Sequence, residues 1–150
     1  MKDAFGGTFM LRVLIVFFVI YISIMTVAIG FSKAFRVKNN VINILERTEY
    51  RNDDVSKCKA GDTSNDICGA IDKYLSSVSY DYSKNDTLQK QCTATGGKYI
   101  SRGICISNMV SNDKKYYKYY KVTSYFVISA PLFKINMTAP ITGETKVINL

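Results

Sequence analysis

An apolar run near the N-terminus, Val13 to Phe31, constrains the fold of this chain more than any other feature. Its nineteen residues (VLIVFFVIYISIMTVAIGF) include no charged residue, no proline and a single glycine. As an α-helix, with a rise of about 1.5 Å per residue, the run is roughly 28 Å long, close to the hydrocarbon thickness of a bilayer. Inside lipid a single segment has to satisfy its own backbone hydrogen bonds, and a helix does so. The run therefore predicts a transmembrane helix over residues 13–31.

A buried core helix and a cleaved signal peptide are the two alternatives to a membrane-spanning helix. A core helix normally has a polar face, whereas this run offers only Tyr21, Ser23 and Thr26. The apolar region of a signal peptide is usually about 7–15 residues long and ends at a cleavage site between small residues. The sequence at 32–34, Ser-Lys-Ala, is a poor match to such a site. We therefore expect an uncleaved, single-pass membrane anchor.

The helical pattern continues beyond the apolar run. Apolar residues recur there at helical spacing: Phe31, Phe35, Val41 or Ile42, and Leu45. Because no proline or glycine falls within residues 31–53, we predict one continuous helix from about Phe9 to about Arg47. Residues 1–12 form a short leader with a break at Gly6-Gly7, and residues 32–47 form an amphipathic extension. The apolar stripe of that extension is expected to pack on a small domain formed by residues 48–150.

The first part of that domain predicts a loop and a short helix. Residues 48–65 are polar and rich in turn-forming residues, which is typical of a loop. A second helix is predicted to begin near Asp66, with Cys68 in its first turn. Its apolar stripe consists of Ile67, Ala70, Ile71, Tyr74, Leu75 and Val78. Residues 79–91 are polar again and are expected to be irregular.

From Gly97 onward the pattern changes from helical to alternating. Two short strands flank Arg102-Gly103, which predicts a tight hairpin. A long strand over residues 116–129 follows. One of its faces carries Tyr120, Val122, Phe126 and Ile128, and the other carries Tyr119, Lys121, Thr123 and Tyr125.

The last two predicted strands are residues 132–139 and 144–149. Both prolines, Pro131 and Pro140, are placed at strand ends, where a missing N–H group is tolerated. The sequence thus predicts the α+β class. It has a long N-terminal helix with transmembrane and amphipathic parts, a short second helix and a C-terminal antiparallel sheet of four to five strands.

The four cysteines, Cys58, Cys68, Cys92 and Cys105, all lie outside the apolar run. Their even number and the absence of a C-x-x-C spacing favour two disulfides in an exported domain over a zinc site or a redox dithiol. Three connectivities are possible. We favour sequential pairing, 58 with 68 and 92 with 105, because each pair brackets one local unit.

The charges beside the apolar run indicate the opposite topology. Basic residues favour the cytoplasmic side of an anchor, and Lys33, Arg36 and Lys38 outnumber Lys2 and Arg12. The positively charged N-terminal amine makes the number of positive charges on the two sides nearly equal, so we base the predicted topology on the cysteines. We predict a single-pass protein of the cell membrane whose C-terminal domain is extracytoplasmic.

The chain lacks histidine, which removes imidazole bases, histidine-activated nucleophiles and histidine-bearing zinc sites. Asp53-Asp54 lies in a polar loop beside lysines and has the pattern of a solvated stretch. Asp62-x-Ser64-x-Asp66 lacks the glycine and glutamate spacings of a calcium loop. We therefore expect a protein that is not an enzyme, with no catalytic residues, no cofactor and no metal.

A basic and aromatic run extends from Lys114 to Lys121. Alternating cations and rings suit a platform for single-stranded nucleic acid, and the candidate contacts to a polyanion are Lys114, Lys115, Lys118, Tyr119 and Lys121. The run also fits the first half of a long strand, whose lysines keep an edge soluble. Strand geometry divides the rings between two faces, so we favour the plain strand and do not expect nucleic acid as a partner.

A hydrophobic N-terminal helix that continues as an amphipathic helix on an antiparallel sheet resembles a type IV pilin-like subunit. Within that group the chain is most similar to the TadE/TadG pseudopilins of tight-adherence (Flp, or Tad) pili, which end in extended segments with a proline-interrupted, strand-turn-strand pattern. The corresponding stretch here would be residues 121–150, KVTSYFVISAPLFKINMTAPITGETKVINL. Prepilins carry a glutamate five residues beyond the cleavage point. Here that position is Arg12 counted from Gly7, or Leu11 counted from Gly6.

The resemblance implies a membrane-anchored, non-enzymatic subunit of a secretion or adhesion assembly. Its partners would be the lipid bilayer and other pilin-like subunits or membrane assembly proteins. One alternative is an anchored extracytoplasmic module that binds nucleic acid or another polyanion through the strand that includes Lys121. A second alternative is a scaffold accessory of a larger membrane complex.

Overall fold

The computed structural model describes residues 2–48, 67–82, 86–110, 117–130, 135–146 and 148–149. The helices are α1 (Lys2–Thr48), α2 (Ile67–Ser77) and α3 (Asp86–Ala94). The strands are β1 (Lys98–Ser101), β2 (Ile104–Val110), β3 (Tyr117–Ala130), β4 (Ile135–Glu144) and β5 (Ile148–Asn149). The predicted α+β class is confirmed: a long apolar helix precedes a short helix and an antiparallel sheet.

The long strand β3 organises the sheet, whose order is β1-β2-β3-β4 with every pair antiparallel. On the β4 side, residues 121–130 of β3 pair with β4, and residues 117–118 pair with β5. Thr145 bridges the gap between β4 and β5. Its backbone N donates to Tyr120 O and its Oγ1 accepts from Tyr120 N, both at 2.9 Å. The side chain of Thr145 thus keeps β3 hydrogen-bonded where the ladder is interrupted.

The second half of α1 forms the centre of the core, as the helical pattern predicts. Ala34, Val37, Val41 and Leu45 lie on one face and are at most 2% exposed. The small side chains of Ala34 and Ser124 allow α1 to approach β3 closely, and Ser124 Oγ donates to Ala34 O at 3.1 Å. This half of the helix is therefore part of the domain and not a stalk.

The two faces of the sheet bury separate clusters because strand side chains alternate. The face toward α1 and α2 buries Ile100, Ile104, Ile106, Tyr120, Val122 and Phe126. The opposite face buries Cys105 and Tyr125 against Leu88 and Cys92 of α3. The predicted division of the residues of β3 between two faces is confirmed for Tyr120, Val122, Phe126 and Tyr125.

The Arg102-Gly103 hairpin is confirmed. Both residues have positive φ, 48° and 95°, as the tight turn between β1 and β2 requires. Arg102 forms ion pairs with Asp72 of α2 at 3.1 Å and with Asp81 at 3.2 Å. The turn is therefore tied to the segment that precedes the sheet.

Three predictions about local structure were wrong. Part of the segment expected to be irregular, 79–91, belongs to α3, which packs through Leu88 and Cys92. Gly6-Gly7 does not break α1, which already begins at Lys2. Pro140 lies inside β4 opposite Tyr125, not at a strand end. Among the described strands β4 pairs with β3 alone, so the missing N–H of the proline can face away from the ladder. Pro131 lies outside the described residues.

A disulfide joins Cys92 of α3 to Cys105 of β2, with Cα atoms 5.7 Å apart, which confirms the predicted second pair. Cys68 is also disulfide-bonded, and its predicted partner, Cys58, lies outside the described residues. The backbone at Gly97 passes close to the Cys92–Cys105 bridge. A Cβ atom there would collide with Cys105 Sγ and Ser107 Oγ, so this close approach requires glycine.

Tyr80 provides a pH-dependent contribution to stability. Its side chain is 1% exposed, its hydroxyl donates to Tyr125 O, and its ring meets that of Tyr82 edge to face at 5.0 Å. Burial raises the pKa of Tyr80 well above the ordinary value of 10.0. Above that value the unfolded chain releases the tyrosine proton while the folded chain retains it, so the stability contribution of Tyr80 is lost as pH rises further.

We expect the free energy of unfolding to fall as pH is raised above about 10. Urea unfolding across that range measures the slope, and Tyr80→Phe should make it shallower because the substituted ring does not titrate. An equal slope for Tyr80→Phe and the unchanged protein would contradict this assignment.

Candidate functional site

The first half of α1 is an exposed apolar surface. Between Phe9 and Phe31 the large apolar side chains, apart from the half-buried Val19 and Val27, are exposed by 44% or more, up to 73% at Phe17. The most apolar window of the helix has a mean hydropathy of 2.7 and none of it is buried. A core helix would be covered by other elements of its own chain, whereas this surface is left open. By length and composition, α1 could cross a membrane.

The exposed half of α1 passes into the packed half near Gly30. Val27 is half-buried against the core, and a Cβ at Gly30 would lie 3.6 Å from the Phe126 ring. The Phe31 ring meets that of Phe126 edge to face, with centroids 6.0 Å apart. The domain therefore already contacts the helix within the last residues of the apolar run.

Two of the cations that follow the apolar run bind the domain. Lys33 Nζ donates to Ser79 O at 3.0 Å, just beyond α2. Lys38 is 8% exposed; its Nζ donates to Thr142 O at 3.4 Å and lies 4.4 Å from the centre of the Phe35 ring. These contacts give both lysines a structural role that is independent of which side of a membrane they occupy.

Only some of the residues of the predicted polyanion site lie in the part of the chain that the structure describes. Lys114 and Lys115 lie outside the described residues, and Lys118 pairs with Val110 and Ile148 through the β3 backbone. Tyr119 and Lys121 are half-buried on the face opposite α1. Tyr120, between them, is 8% exposed and belongs to the core. Its ring cannot stack on a base, which favours the plain strand.

A shallow groove of about 420 Å³ lies beside α3 on the sheet face opposite α1. It is lined by Gln91, Ala94, Thr95, Ser107, Lys121, Thr123, Tyr125, Thr138, Pro140 and Thr142. Among these residues Lys121 carries the single charge, and hydroxyl groups supply most of the polar atoms. Burial raises the pKa of Tyr125 above its ordinary value of 10.0.

The sequence does not predict the groove because its residues come from α3, β2, β3 and β4. Only the pairing register brings Thr123 of β3 opposite Thr142 of β4. Thr138 and Thr142, four residues apart and therefore on one face of β4, were the available signal, but they do not reveal which strands are neighbours. No carboxylate lines the groove beside Lys121, so its described lining holds no acid–base pair.

Metal-ligating side chains do not cluster in the part of the chain that the structure describes. Asp53, Asp54, Asp62 and Asp66 lie outside that part. The exposed surface of α1 and the groove are therefore the two candidate functional surfaces. Comparisons with protein-family models, with curated proteins and with solved structures gave no match.

Proposed function

We propose that this chain is a membrane-anchored, non-enzymatic subunit of a pseudopilin-like assembly, with its C-terminal domain outside the cytoplasm. The observation that carries the proposal is the division of one continuous helix into two environments. Up to about Thr26 its large side chains are mostly exposed and apolar, whereas Ala34, Val37, Val41 and Leu45 form the core of the domain. A helix built in this way holds a folded domain rigidly at a fixed distance from the membrane.

The same helix offers a way to assemble subunits. Helices leaving a membrane side by side can pack along their apolar surfaces, and close packing is favoured by small residues. Gly7 and Ala28 are small residues of α1 that are exposed. In an assembly, the apolar half of α1 would exchange contacts with lipid for contacts with copies of itself, while the sheet would face outward.

The disulfides support an extracytoplasmic domain. The Cys92–Cys105 bridge links α3 to β2, and Cys68 is bridged as well. Such bonds persist in oxidising compartments and are rare in the cytosol. The basic residues that would argue for the opposite side include Lys33 and Lys38, whose contacts with the domain explain their positions.

Cysteine crosslinking in membranes tests the assembly. We expect single substitutions over one turn of α1, at Leu14, Ile15, Val16 and Phe17, to yield crosslinked multimers from one helical face after mild oxidation. A cysteine at the exposed Lys73 of α2 is the control and should yield far fewer. Protein that sediments with membranes but stays monomeric at all four positions would contradict a self-assembling subunit and favour an anchored accessory protein.

A further inference from the structure

The strand β3 and the helix α1 run side by side in opposite directions. Contacts at successive levels show this: Gly30 lies beside Phe126, Ala34 O accepts from Ser124 Oγ, and Glu46 Oε1 accepts from Lys146 N at 3.0 Å. Thr145 is hydrogen-bonded to Tyr120 of β3. Because the chain there runs antiparallel to β3, the next residue, Lys146, lies beside Tyr119. The sheet therefore follows the helix over most of the packed half.

Between these contacts, the length of α1 agrees with the length of β3. From Gly30 to Glu46 the helix rises about 24 Å, and from Phe126 to Tyr119 the strand covers about 23 Å. Because β3 continues to Ala130, its end lies about 13 Å beyond Phe126 in the direction of the N-terminus of α1. About nine helical residues span that distance, which places Ala130 and its β4 partner, Ile135, at about the level of Tyr21.

The end of the sheet thus overlaps the apolar run. If residues 13–31 all lay in hydrocarbon, the outer edge of β4 would lie deep inside the bilayer. Unpaired backbone groups are not tolerated there. The hydrocarbon boundary must then fall nearer the N-terminus of α1, at about Ser23, among the polar residues of the run: Tyr21, Ser23 and Thr26. Residues 7–23 still provide about 26 Å of helix, the short end of what a span needs. Arg12 lies about 8 Å from the N-terminal end of that span and can extend to the interface there.

The composition of the sheet end fits that position. From Val122 to Gly143 the sequence carries a single charge, Lys134, which lies between β3 and β4, so the two strands themselves are uncharged there. Met137 is 61% exposed there, and Ile128 is half-buried. The opposite end of the same strands carries Lys121, Glu144 and Lys146. The sheet is therefore uncharged where it runs beside the apolar part of α1 and charged where it runs beside the part that ends at Thr48.

We propose that the end of the sheet, residues 127–130 and 135–139, is a membrane-contact surface seated in the lipid headgroup region around α1. The domain then rests on the bilayer, and the last eight or so residues of the apolar run lie beside the domain instead of in the hydrocarbon. This inference rests on the proposed membrane anchoring of α1. The proposed contact also fixes the tilt of the domain relative to the membrane, because both α1 and the sheet end would contact the bilayer.

Tryptophan depth measurements test this placement, since the chain has no tryptophan of its own. The full chain would be reconstituted in phosphatidylcholine vesicles as three variants: Phe17→Trp within the span, Met137→Trp at the sheet end and Lys146→Trp at the charged end. Each emission would be quenched by lipids brominated at shallow or at deep acyl carbons. All three positions are exposed, so the core is undisturbed.

We expect shallow bromines to quench Met137→Trp by about half, deep bromines to act mainly on Phe17→Trp, and neither to affect Lys146→Trp. Quenching of Phe17→Trp with Met137→Trp as unaffected as Lys146→Trp would overturn this inference and leave the anchor intact. Deep quenching of Met137→Trp would also overturn the headgroup placement. An unquenched Phe17→Trp would remove both the anchor and the inference.

Discussion

Replacing Leu45 by alanine is expected to lower the free energy of unfolding by about 2–5 kcal/mol. Leu45 is 1% exposed and lies on the α1 face that fills the core beside Val41. The loss combines the transfer free energy of the removed methyl groups with the cavity that the sheet and α2 cannot close. Urea unfolding of the full chain in detergent micelles, followed by circular dichroism, measures this effect.

The matched control for Leu45→Ala is Asn39→Gln, on the exposed face of the same helix. It should change stability by no more than about 0.5 kcal/mol, as surface substitutions usually do. Equal, small effects at both positions would show that the second half of α1 does not support the domain.

Removing the Cys92–Cys105 disulfide should have the next largest effect. The bridge closes a loop with a sequence separation of 13 residues. The chain-entropy model assigns about 3 kcal/mol to a loop of this size. The paired substitution Cys92→Ser with Cys105→Ser should therefore lower the free energy of unfolding by that amount, and α3 should be the first element to exchange its amide hydrogens.

The control for the disulfide is the unchanged protein in reductant. The redox state of Cys68 has to be monitored in the same samples, so that reduction of its disulfide is not mistaken for reduction of Cys92–Cys105. A loss seen only when both bridges are reduced would assign the stabilisation to the bridge at Cys68. Paired serines that leave stability unchanged would mean that Leu88 alone holds α3 on the sheet.

The features predicted correctly are those that local chemistry dictates. α1 is continuous because no helix breaker interrupts its second half, and the hairpin forms because Arg102-Gly103 can adopt positive φ. α3 was not predicted because it offers only Leu88 and Cys92 as buried side chains, and the disulfide and sheet supply what its sequence lacks. Pro140 was misplaced because its tolerance depends on β4 being an edge, which is a property of the assembled sheet.

The candidate surfaces were predictable to different degrees. The exposed half of α1 follows directly from composition, since nineteen uncharged residues in a row have few alternatives. The groove depends on the register that sets Thr123 against Thr142, and the position of the sheet end depends on β3 running antiparallel to α1. Both are long-range relations that periodicity along one segment does not contain.

The central claim is that one helix serves both as membrane anchor and as domain core, and truncation tests it most directly. Thermal unfolding would compare a chain that begins at Phe31, which keeps Ala34, Val37, Val41 and Leu45, with a chain that begins at Thr48 and lacks them. We predict a cooperative transition for the longer chain and none for the shorter, because the sheet face toward α1 would lose its cover. Equal transitions in both chains would contradict this account and reduce α1 to a tether.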